Sequence, residues 1–253
     1  MADRDAAIGM RAGKSPGRSA TVRIGVLASG SGSNFQAVVD HFATGAAAAV
    51  AQVALLASDR AGAGALDRAR THGIASEVLD ATGRTTGLLR VLERHEVDLV
   101  VLAGYLRLVP AEVIAAFRGR IVNVHPALLP AFGGPGMYGH RVHEAVLAHG
   151  ARLSGVTVHF VDEEYDRGPI IAQWPVPVLP GDTPDSLAAR VLPVEHLLYP
   201  RVVEALASGR VRLEPDNGVV LPTTSTACDR FSLVSDPSAI AMAIDQMLAL
   251  REP

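Results

Sequence analysis

Short, continuous apolar runs that alternate with helix-like segments constrain the fold of this chain more than any other feature of its sequence. The runs lie at Val22–Ala28, Val53–Ser58, Leu99–Ala103, Ile121–His125 and Val156–Phe160, with a further candidate at Ile170–Val178. Strands buried on both faces give such runs, and helices between them cover the faces of a mostly parallel sheet. The helix-like segments are Asn34–Phe42, Gly64–His72, Leu88–His95, Pro110–Phe117 and Val142–His149.

This alternation predicts an α/β fold: a Rossmann-like open, mostly parallel sheet with helices on both faces. A long helix is predicted after the last strand, because Asp182-Thr183-Pro184 offers an N-cap followed by a proline at the first helical position. Residues 1–20 lack periodicity and are interpreted as a disordered leader. Residues 21–213 then form one domain, and residues 214–253 form a tail with a helix-like segment at Ser238–Leu250.

Charge and composition exclude several classes of protein. The chain carries 23 basic and 26 acidic residues, a net charge of −3, without the basic patch of a nucleic-acid binder. Its longest nearly apolar stretch, Ala46–Ala57, is shorter than the roughly 20 residues of a membrane span. The single cysteine, Cys228, excludes an internal disulfide and a cysteine-rich zinc site. The first twenty residues lack the apolar segment of a secretory signal, so we expect a cytoplasmic protein.

A glycine-rich segment, Gly30-Ser31-Gly32-Ser33-Asn34-Phe35, follows the first predicted strand and opens the first helix. Glycines let the backbone bend there, and the N–H groups at a helix N-terminus bind anions. A dinucleotide-binding loop would carry a third glycine in place of Phe35, so a small phosphate ester held by Gly32, Ser33 and Asn34 fits better. The alternative is an ordinary strand-to-helix turn in which Ser33 or Asn34 caps the helix.

Two polar residues end the strand Ile121–His125. Alternation along a strand places Asn123 and His125 on one face, where burial is costly unless both side chains are hydrogen-bonded. The carboxyl edge of an open α/β sheet is also where ligands bind. An amide can donate to a developing oxyanion and a histidine can move a proton near neutral pH. The alternative is a pair of satisfied core residues that shape the turn at Pro126.

An acidic loop, residues 162–169, lies between the last two predicted strands. Most such loops are solvated connections. One of its carboxylates could instead reach His125, raise its pKa and fix its tautomer. Spacing alone does not single out Asp166 among its acidic neighbours.

Four histidines, at positions 125, 140, 143 and 159, raise the question of a metal site. His140 and His143 are three residues apart on a predicted helix, but no HExxH or comparable ligand set is present. Histidines that flank the start of a surface helix are the commoner arrangement. We therefore expect no metal.

Several motifs in a fixed order resemble the folate-dependent formyltransferases, and among them the phosphoribosylglycinamide formyltransferase family of de novo purine biosynthesis. The resemblance runs from about Val22 to Leu213. Asn-x-His-Pro-Ser/Ala-Leu-Leu-Pro with a later Asp-x-Gly-Pro is highly specific, whereas the early glycine loop is weakly specific by itself. The motifs that carry it are Gly30–Asn34, Leu102–Arg107, Asn123–Pro130, Val156–Phe160, Asp166–Ile171, and Glu195-His196 followed by Tyr199-Pro200.

The resemblance implies a role for particular residues. Gly32, Ser33 and Asn34 match the loop that holds the phosphate of glycinamide ribonucleotide, and Glu195 matches an acid near the ribose hydroxyls. The catalytic trio of the family matches Asn123, His125 and Asp166. The residues matched to folate binding are Arg84, where the alignment is loose, and Leu106, Arg107, Leu108, Val109 and Asn123.

The family implies transfer of a formyl group from 10-formyltetrahydrofolate, as co-substrate, to the amine of glycinamide ribonucleotide. Asn123 would donate to the oxyanion, and Asp166 would favour a protonated His125 by raising its pKa. The expected partners are small-molecule substrates, with a homodimer left open and neither nucleic acid nor membrane involved. Departures from the pattern are the glycine-rich loop 133–140 and Leu192-Pro193, where the family often has polar residues.

Other functions remain as alternatives. Formyltetrahydrofolate deformylase carries an N-terminal regulatory domain and usually His-Cys where this chain has Asn34-Phe35. Methionyl-tRNA formyltransferase carries a further C-terminal domain and more basic charge. A dinucleotide-dependent dehydrogenase is disfavoured by Phe35, and a non-enzymatic nucleotide-binding module leaves Asn123 and His125 unexplained.

Overall fold

The computed structural model describes residues 21–79 and 86–220. Seven strands form one sheet in the order β3-β2-β1-β4-β5-β6-β7, in which β1 to β5 are parallel, β6 is antiparallel to β5, and β7 is antiparallel to β6. The predicted α/β fold with a mostly parallel sheet is therefore confirmed. The strands are β1 (Val22–Leu27), β2 (Ala51–Ser58), β3 (Ala75–Val78), β4 (Leu99–Leu102), β5 (Ile121–His125), β6 (Leu153–Phe160) and β7 (Ile170–Pro177).

Helices cover both faces of the sheet. Because side chains alternate along each strand, Ile24 and Val26 of β1 belong to one apolar core and Leu27 to the other. The first core includes residues of α1, α3, α6 and α7, and the second includes residues of α4 and α5. The helices are α1 (Ser33–Ala43), α2 (Gly45–Val50), α3 (Gly64–Thr71), α4 (Thr86–Arg94), α5 (Ala111–Ala116), α6 (His140–Ala148) and α7 (Pro184–Ala207).

The long helix α7 begins where the sequence predicts. Thr183 is the N-cap: its side chain accepts from the Ser186 N–H, and Pro184 occupies the first turn. Further along, the buried Tyr199 hydroxyl donates to the carbonyls of Leu102 and Val122, at 2.9 and 3.0 Å. Tyr199 thereby joins α7 to β4 and β5.

Four elements were not predicted: α2, β3 and two short strands after α7. The apolar run from Ala46 divides into α2 and β2, a break that apolar content alone does not reveal. The short β3 is mostly exposed and polar, and the strands β8 (Arg212–Leu213) and β9 (Val219–Val220) form a hairpin across the predicted domain boundary at residue 213.

Four features named in the sequence analysis lie outside the described residues: the predicted leader, the helix-like segment Ser238–Leu250, Arg84 and Cys228. Within residues 21–79 and 86–220, no helix has the length and apolar character to cross a membrane.

Candidate active site

A cavity of about 480 Å³ lies at the carboxyl edge of the parallel strands, the place where open α/β sheets bind ligands. Every predicted site residue that the structure describes lines it. Its walls are residues 30–34 after β1, residues 102–109 from the last residue of β4 onward, residues 123–126 at the end of β5, the glycine-rich loop 134–139, the acidic loop around Asp166, and Leu192 and Glu195 of α7.

The glycine loop presents the N-terminus of α1 to the cavity. Gly32, not Ser33 or Asn34, is the N-cap, and no side chain of the described residues caps the helix. Gly32 has φ 78°, and a Cβ there would lie 2.7 Å from Ala65 Cα. Glycine is thus required both by its conformation and by the close approach of α3. The uncapped N–H groups of the first turn can bind an anion.

The partly buried Asn34 and the buried Glu195 form a polar pair beside this loop. Asn34 Nδ2 donates to Glu195 Oε2 at 2.6 Å, and Asn34 Oδ1 is buried without a hydrogen-bond partner among the described residues. Burial raises the pKa of Glu195 to about 6, although the Asn34 hydrogen bond acts in the opposite direction. The free amide oxygen can accept from a ligand hydroxyl or amine.

The end of β5 brings the three predicted catalytic residues together. His125 is buried, with its Nε2 2.9 Å from the Phe132 carbonyl and its Nδ1 3.6 Å from Asp166 Oδ2. Asn123 Nδ2 lies 3.4 Å from Asp166 Oδ1. An amide donor, an imidazole and a carboxylate therefore converge on one end of the cavity.

Backbone geometry selects Asp166 from the acidic loop. Asp166 has φ 56°, a left-handed conformation that aspartate tolerates better than most residues. A Cβ at Gly168 would collide with the Phe160 carbonyl, so only glycine fits the turn that follows. The Gly134 N–H donates to Asp166 Oδ2 at 2.9 Å. The glycine-rich loop 133–140 thus holds the carboxylate in place.

The charge state of His125 differs from the sequence-based expectation. Burial lowers the pKa of His125, and the nearby charge of Asp166 and the Phe132 carbonyl raise it too little to compensate. Burial also raises the pKa of Asp166, but the neighbouring His159 and His125 rings and the Gly134 N–H lower it overall. Asp166 raises the His125 pKa, as expected, but burial outweighs this effect, so the expectation of a protonated His125 is wrong: a neutral imidazole faces an ionised carboxylate at pH 7.

His159 is a site residue to which we assigned no role in the reaction: the sequence analysis considered it as a metal ligand and included it in the motif Val156–Phe160. It is buried on β6 directly opposite Asn123, and its Nε2 lies 3.1 Å from Asn123 Nδ2 and 3.6 Å from Asp166 Oδ1. One signal could have found it: a histidine within an apolar strand must have a polar partner.

A second carboxylate supports the loop matched to folate binding. Ser29 Oγ donates to Asp59 Oδ1 at 2.6 Å and accepts from the Leu106 N–H at 3.0 Å. Arg107 Nε donates to Asp59 Oδ2 at 2.6 Å. Neither Ser29 nor Asp59 was predicted. Within the same loop, Leu108 is exposed and Val109 is buried.

The histidines of α6 do not form a metal site. His140 is exposed and contacts Glu144 and Asp185, whereas His143 is buried on the same helix. Burial lowers the pKa of His143, and the charges of His140 and His125 lower it further. Across the described ranges, no three His, Cys, Asp or Glu side chains are arranged to hold a metal ion.

Comparison with known proteins identifies the class. Residues 22–203 match the model of the formyl transferase family. The chain therefore belongs to the formyl transferase family and is a formyltransferase enzyme, as the sequence motifs indicated.

Within the formyl transferase family, the chain is similar to proteins named phosphoribosylglycinamide formyltransferase. A chloroplastic phosphoribosylglycinamide formyltransferase from Vigna unguiculata is 48% identical over 195 residues, covering 75% of this chain and 62% of that protein. The phosphoribosylglycinamide formyltransferase of Escherichia coli strain K12 is 36% identical, covering 82% of this chain and 100% of that protein. The crystal structure of phosphoribosylglycinamide formyltransferase from Anaplasma phagocytophilum superposes on this chain with a TM-score of 0.75 at 36% identity. The superposition covers 84% of this chain and 97% of the Anaplasma chain.

Proposed function

We propose that this protein transfers a formyl group from 10-formyltetrahydrofolate to the amine of glycinamide ribonucleotide in purine biosynthesis. The observation that carries this proposal is the convergence of Asn123, His125 and Asp166 in one cavity. That cavity extends from an anion-binding helix N-terminus to the loop 106–109. The names of the similar proteins agree with it.

Each end of the cavity receives one substrate in this proposal. Gly32, Ser33 and Asn34 bind the phosphate, and Glu195 binds the ribose hydroxyls. Residues 106–109 and Asn123 bind the folate, together with Arg84, which lies outside the described residues. Residues 21–213 act as the catalytic domain, and the leader and tail take no part in the chemistry.

The reaction can be written with a neutral His125. The substrate amine attacks the formyl carbon, forming a C–N bond and an oxyanion to which Asn123 donates a hydrogen bond. The His125 ring donates Nε2–H to Phe132, so its Nδ1 lone pair takes the proton from the attacking nitrogen. Asp166, 3.6 Å from Nδ1, stabilises the imidazolium that results.

Collapse of the tetrahedral intermediate completes the transfer. His125 returns the proton to the folate nitrogen as the bond from that nitrogen to the formyl carbon breaks. Tetrahydrofolate and the formylated amine leave, and no covalent enzyme intermediate forms. Neither a metal nor Cys228 has a role in this scheme.

The decisive test is incubation of the full chain with 10-formyltetrahydrofolate, with and without glycinamide ribonucleotide. We expect tetrahydrofolate to form only when the amine is present. Amine-independent release of formate would identify a deformylase instead.

Full activity after dialysis against a chelator is expected, and restoration by zinc of an activity lost on dialysis would contradict the metal-free proposal.

The proposed phosphate site is tested by Gly32→Val. Its side chain would meet the backbone of Ala65 at a position with φ 78°, so the loop must shift. We expect ribonucleotide binding to weaken while folate binding, which serves as the folding control, is retained. Micromolar binding of NAD or NADP to the wild type in a calorimetric titration would contradict a single-phosphate site.

Location and assembly complete the proposal. We propose a cytoplasmic location, which cell fractionation would test. The Vigna protein, by contrast, is named chloroplastic. Small molecules are the only partners that the proposal requires, and light scattering would decide between a monomer and a homodimer.

A further inference from the structure

We propose that His159 is a positioning residue that fixes the side-chain orientation of Asn123, so that one amide N–H is held for the developing oxyanion. The inference rests on the proposed formyl transfer, because the oxyanion belongs to that reaction. His159 and Asn123 face each other across β5 and β6, which are paired in register at these two residues. His159 is only 2% exposed, whereas Asn123 is partly exposed and lines the cavity.

The first step concerns the tautomer of His159. Its Nδ1 lies 2.7 Å from the carbonyl oxygen of Phe160. A carbonyl can only accept, so Nδ1 carries the proton. In a neutral ring the remaining nitrogen, Nε2, then has a lone pair that faces Asn123 at 3.1 Å.

The second step starts from the Asn123 amide and also concludes that His159 Nε2 accepts a hydrogen bond. The amide nitrogen of Asn123 lies 3.4 Å from Asp166 Oδ1 as well as 3.1 Å from His159 Nε2. If the amide were reversed, its oxygen would face the carboxylate, and two acceptors would repel each other. The carboxylate therefore selects the amide orientation, and His159 Nε2 is left to accept one N–H of Asn123.

The two N–H groups of the Asn123 amide therefore have different roles. One donates to His159 at a normal hydrogen-bond length of 3.1 Å. The second lies toward Asp166 at 3.4 Å, longer than the usual 2.7–3.2 Å range. It is the weaker bond, and the formyl oxygen replaces it as negative charge develops. Groups around His159 are Asn123 and His125 from β5 and Asp166 from the acidic loop.

Two substitutions separate this role from simple packing. His159→Gln can place its side-chain oxygen near the Nε2 position and accept from Asn123, whereas His159→Asn is too short to do so. We expect His159→Asn to lower kcat by about tenfold or more, the effect of losing one hydrogen bond to a buried group, with little change in KM. We expect His159→Gln to recover most of that loss. The control is His72→Asn, which removes an exposed histidine hydrogen-bonded to Gln36 and should leave both constants unchanged.

The tautomer is measured directly by long-range ¹H–¹⁵N NMR of the wild-type chain labelled at histidine. We expect a neutral His159 ring with the proton on Nδ1. A doubly protonated ring, or a proton on Nε2 alone, would overturn the inference, as would equal kcat values for the Asn and Gln variants. This measurement does not depend on activity. If the wild type fails to transfer formyl groups, the proposed function fails while the tautomer is still tested.

Discussion

Two aspartates at the same edge of the sheet are buried to a similar degree but held by partners of different chemistry. Asp59, after β2, is hydrogen-bonded to Arg107, whose charge is permanent, and to Ser29. Asp166 lies between two histidines, His125 and His159, each 3.6 Å away. A permanent cation keeps the first carboxylate in one state, whereas titratable neighbours let the second respond to proton movement.

Both carboxylates stay ionised, but for different reasons. Burial raises the pKa of Asp59, and its bonds to Ser29 and Arg107 outweigh that effect and lower it. Asp166 has no guanidinium partner within residues 21–79 and 86–220, and its lowered pKa depends on His159, His125 and the Gly134 N–H. The comparison teaches that a buried carboxylate supports a loop when paired with arginine and can support chemistry when paired with histidine. Four experiments test this distinction.

The largest effect is expected for Asp166→Asn, which keeps the side-chain shape and removes its charge. The imidazolium of His125 then loses its stabilising partner, and kcat should fall by about 10²–10⁴-fold, the usual range for proton-transfer groups. The pKa of His125, already lowered by burial, should fall further, so the acid limb of the kcat profile should move to lower pH. Steady-state kinetics across pH 5–9 measure both effects.

The matched control for this substitution is Glu163→Gln, which removes a charge from the same loop. It should leave kcat nearly unchanged. An equal loss in both variants would mean that the loop responds to charge in general, and the distinction drawn for Asp166 would be wrong.

Asn123→Ala is expected to have the next largest effect. Removing one oxyanion donor typically lowers kcat by about 10²–10³-fold, and the KM values should change less because the bond forms mainly in the transition state. Single-turnover measurement of formyl transfer checks this without interference from product release. A wild-type rate in this variant would remove Asn123 from the mechanism.

A smaller effect is expected for Asp59→Asn. Solvent weakens the ion pair because the Arg107 side chain is half-exposed, so KM for the folate should rise by no more than about fivefold while kcat is retained. The control is Asp67→Asn, which breaks an exposed ion pair with Arg70 on α3. If Asp59→Asn lowers kcat as much as Asp166→Asn, the contrast between the two carboxylates does not hold.

The sequence predicts the features that leave a local pattern, and it does not predict those that depend on the folded backbone. The parallel strands and their covering helices were predictable because apolar periodicity reports burial directly. Asn123 and His125 could be predicted from alternation along one strand, since polar side chains at a buried strand end need partners. Asp166 could be identified only by its resemblance to a family motif, because its position depends on the φ of 56° and on the turn at Gly168.

Residues that act through long-range contacts could not be found in this way. Asp59 meets Arg107 across 48 positions of the chain, and His159 meets Asn123 across 36. Such pairs depend on strand order and register, which local patterns do not specify. The lowered pKa of His125 likewise depends on how deeply the folded chain buries the ring, and the sequence gives no measure of that depth.

The smallest effect expected concerns stability against acid. The pKa of Asp59 lies below its ordinary value of 3.8 in the folded chain, so its ionised form stabilises the fold at pH values above about 3.8. That contribution is lost as pH falls through the lowered pKa, because the carboxyl is then protonated in both states. Asp59→Asn lacks the contribution at every pH. The difference in melting temperature between wild type and variant should therefore be constant from pH 7 to about 5 and shrink below pH 4. Calorimetry at a series of pH values measures it, and a difference that grows on acidification would show that Asp59 is not held ionised by Arg107 and Ser29.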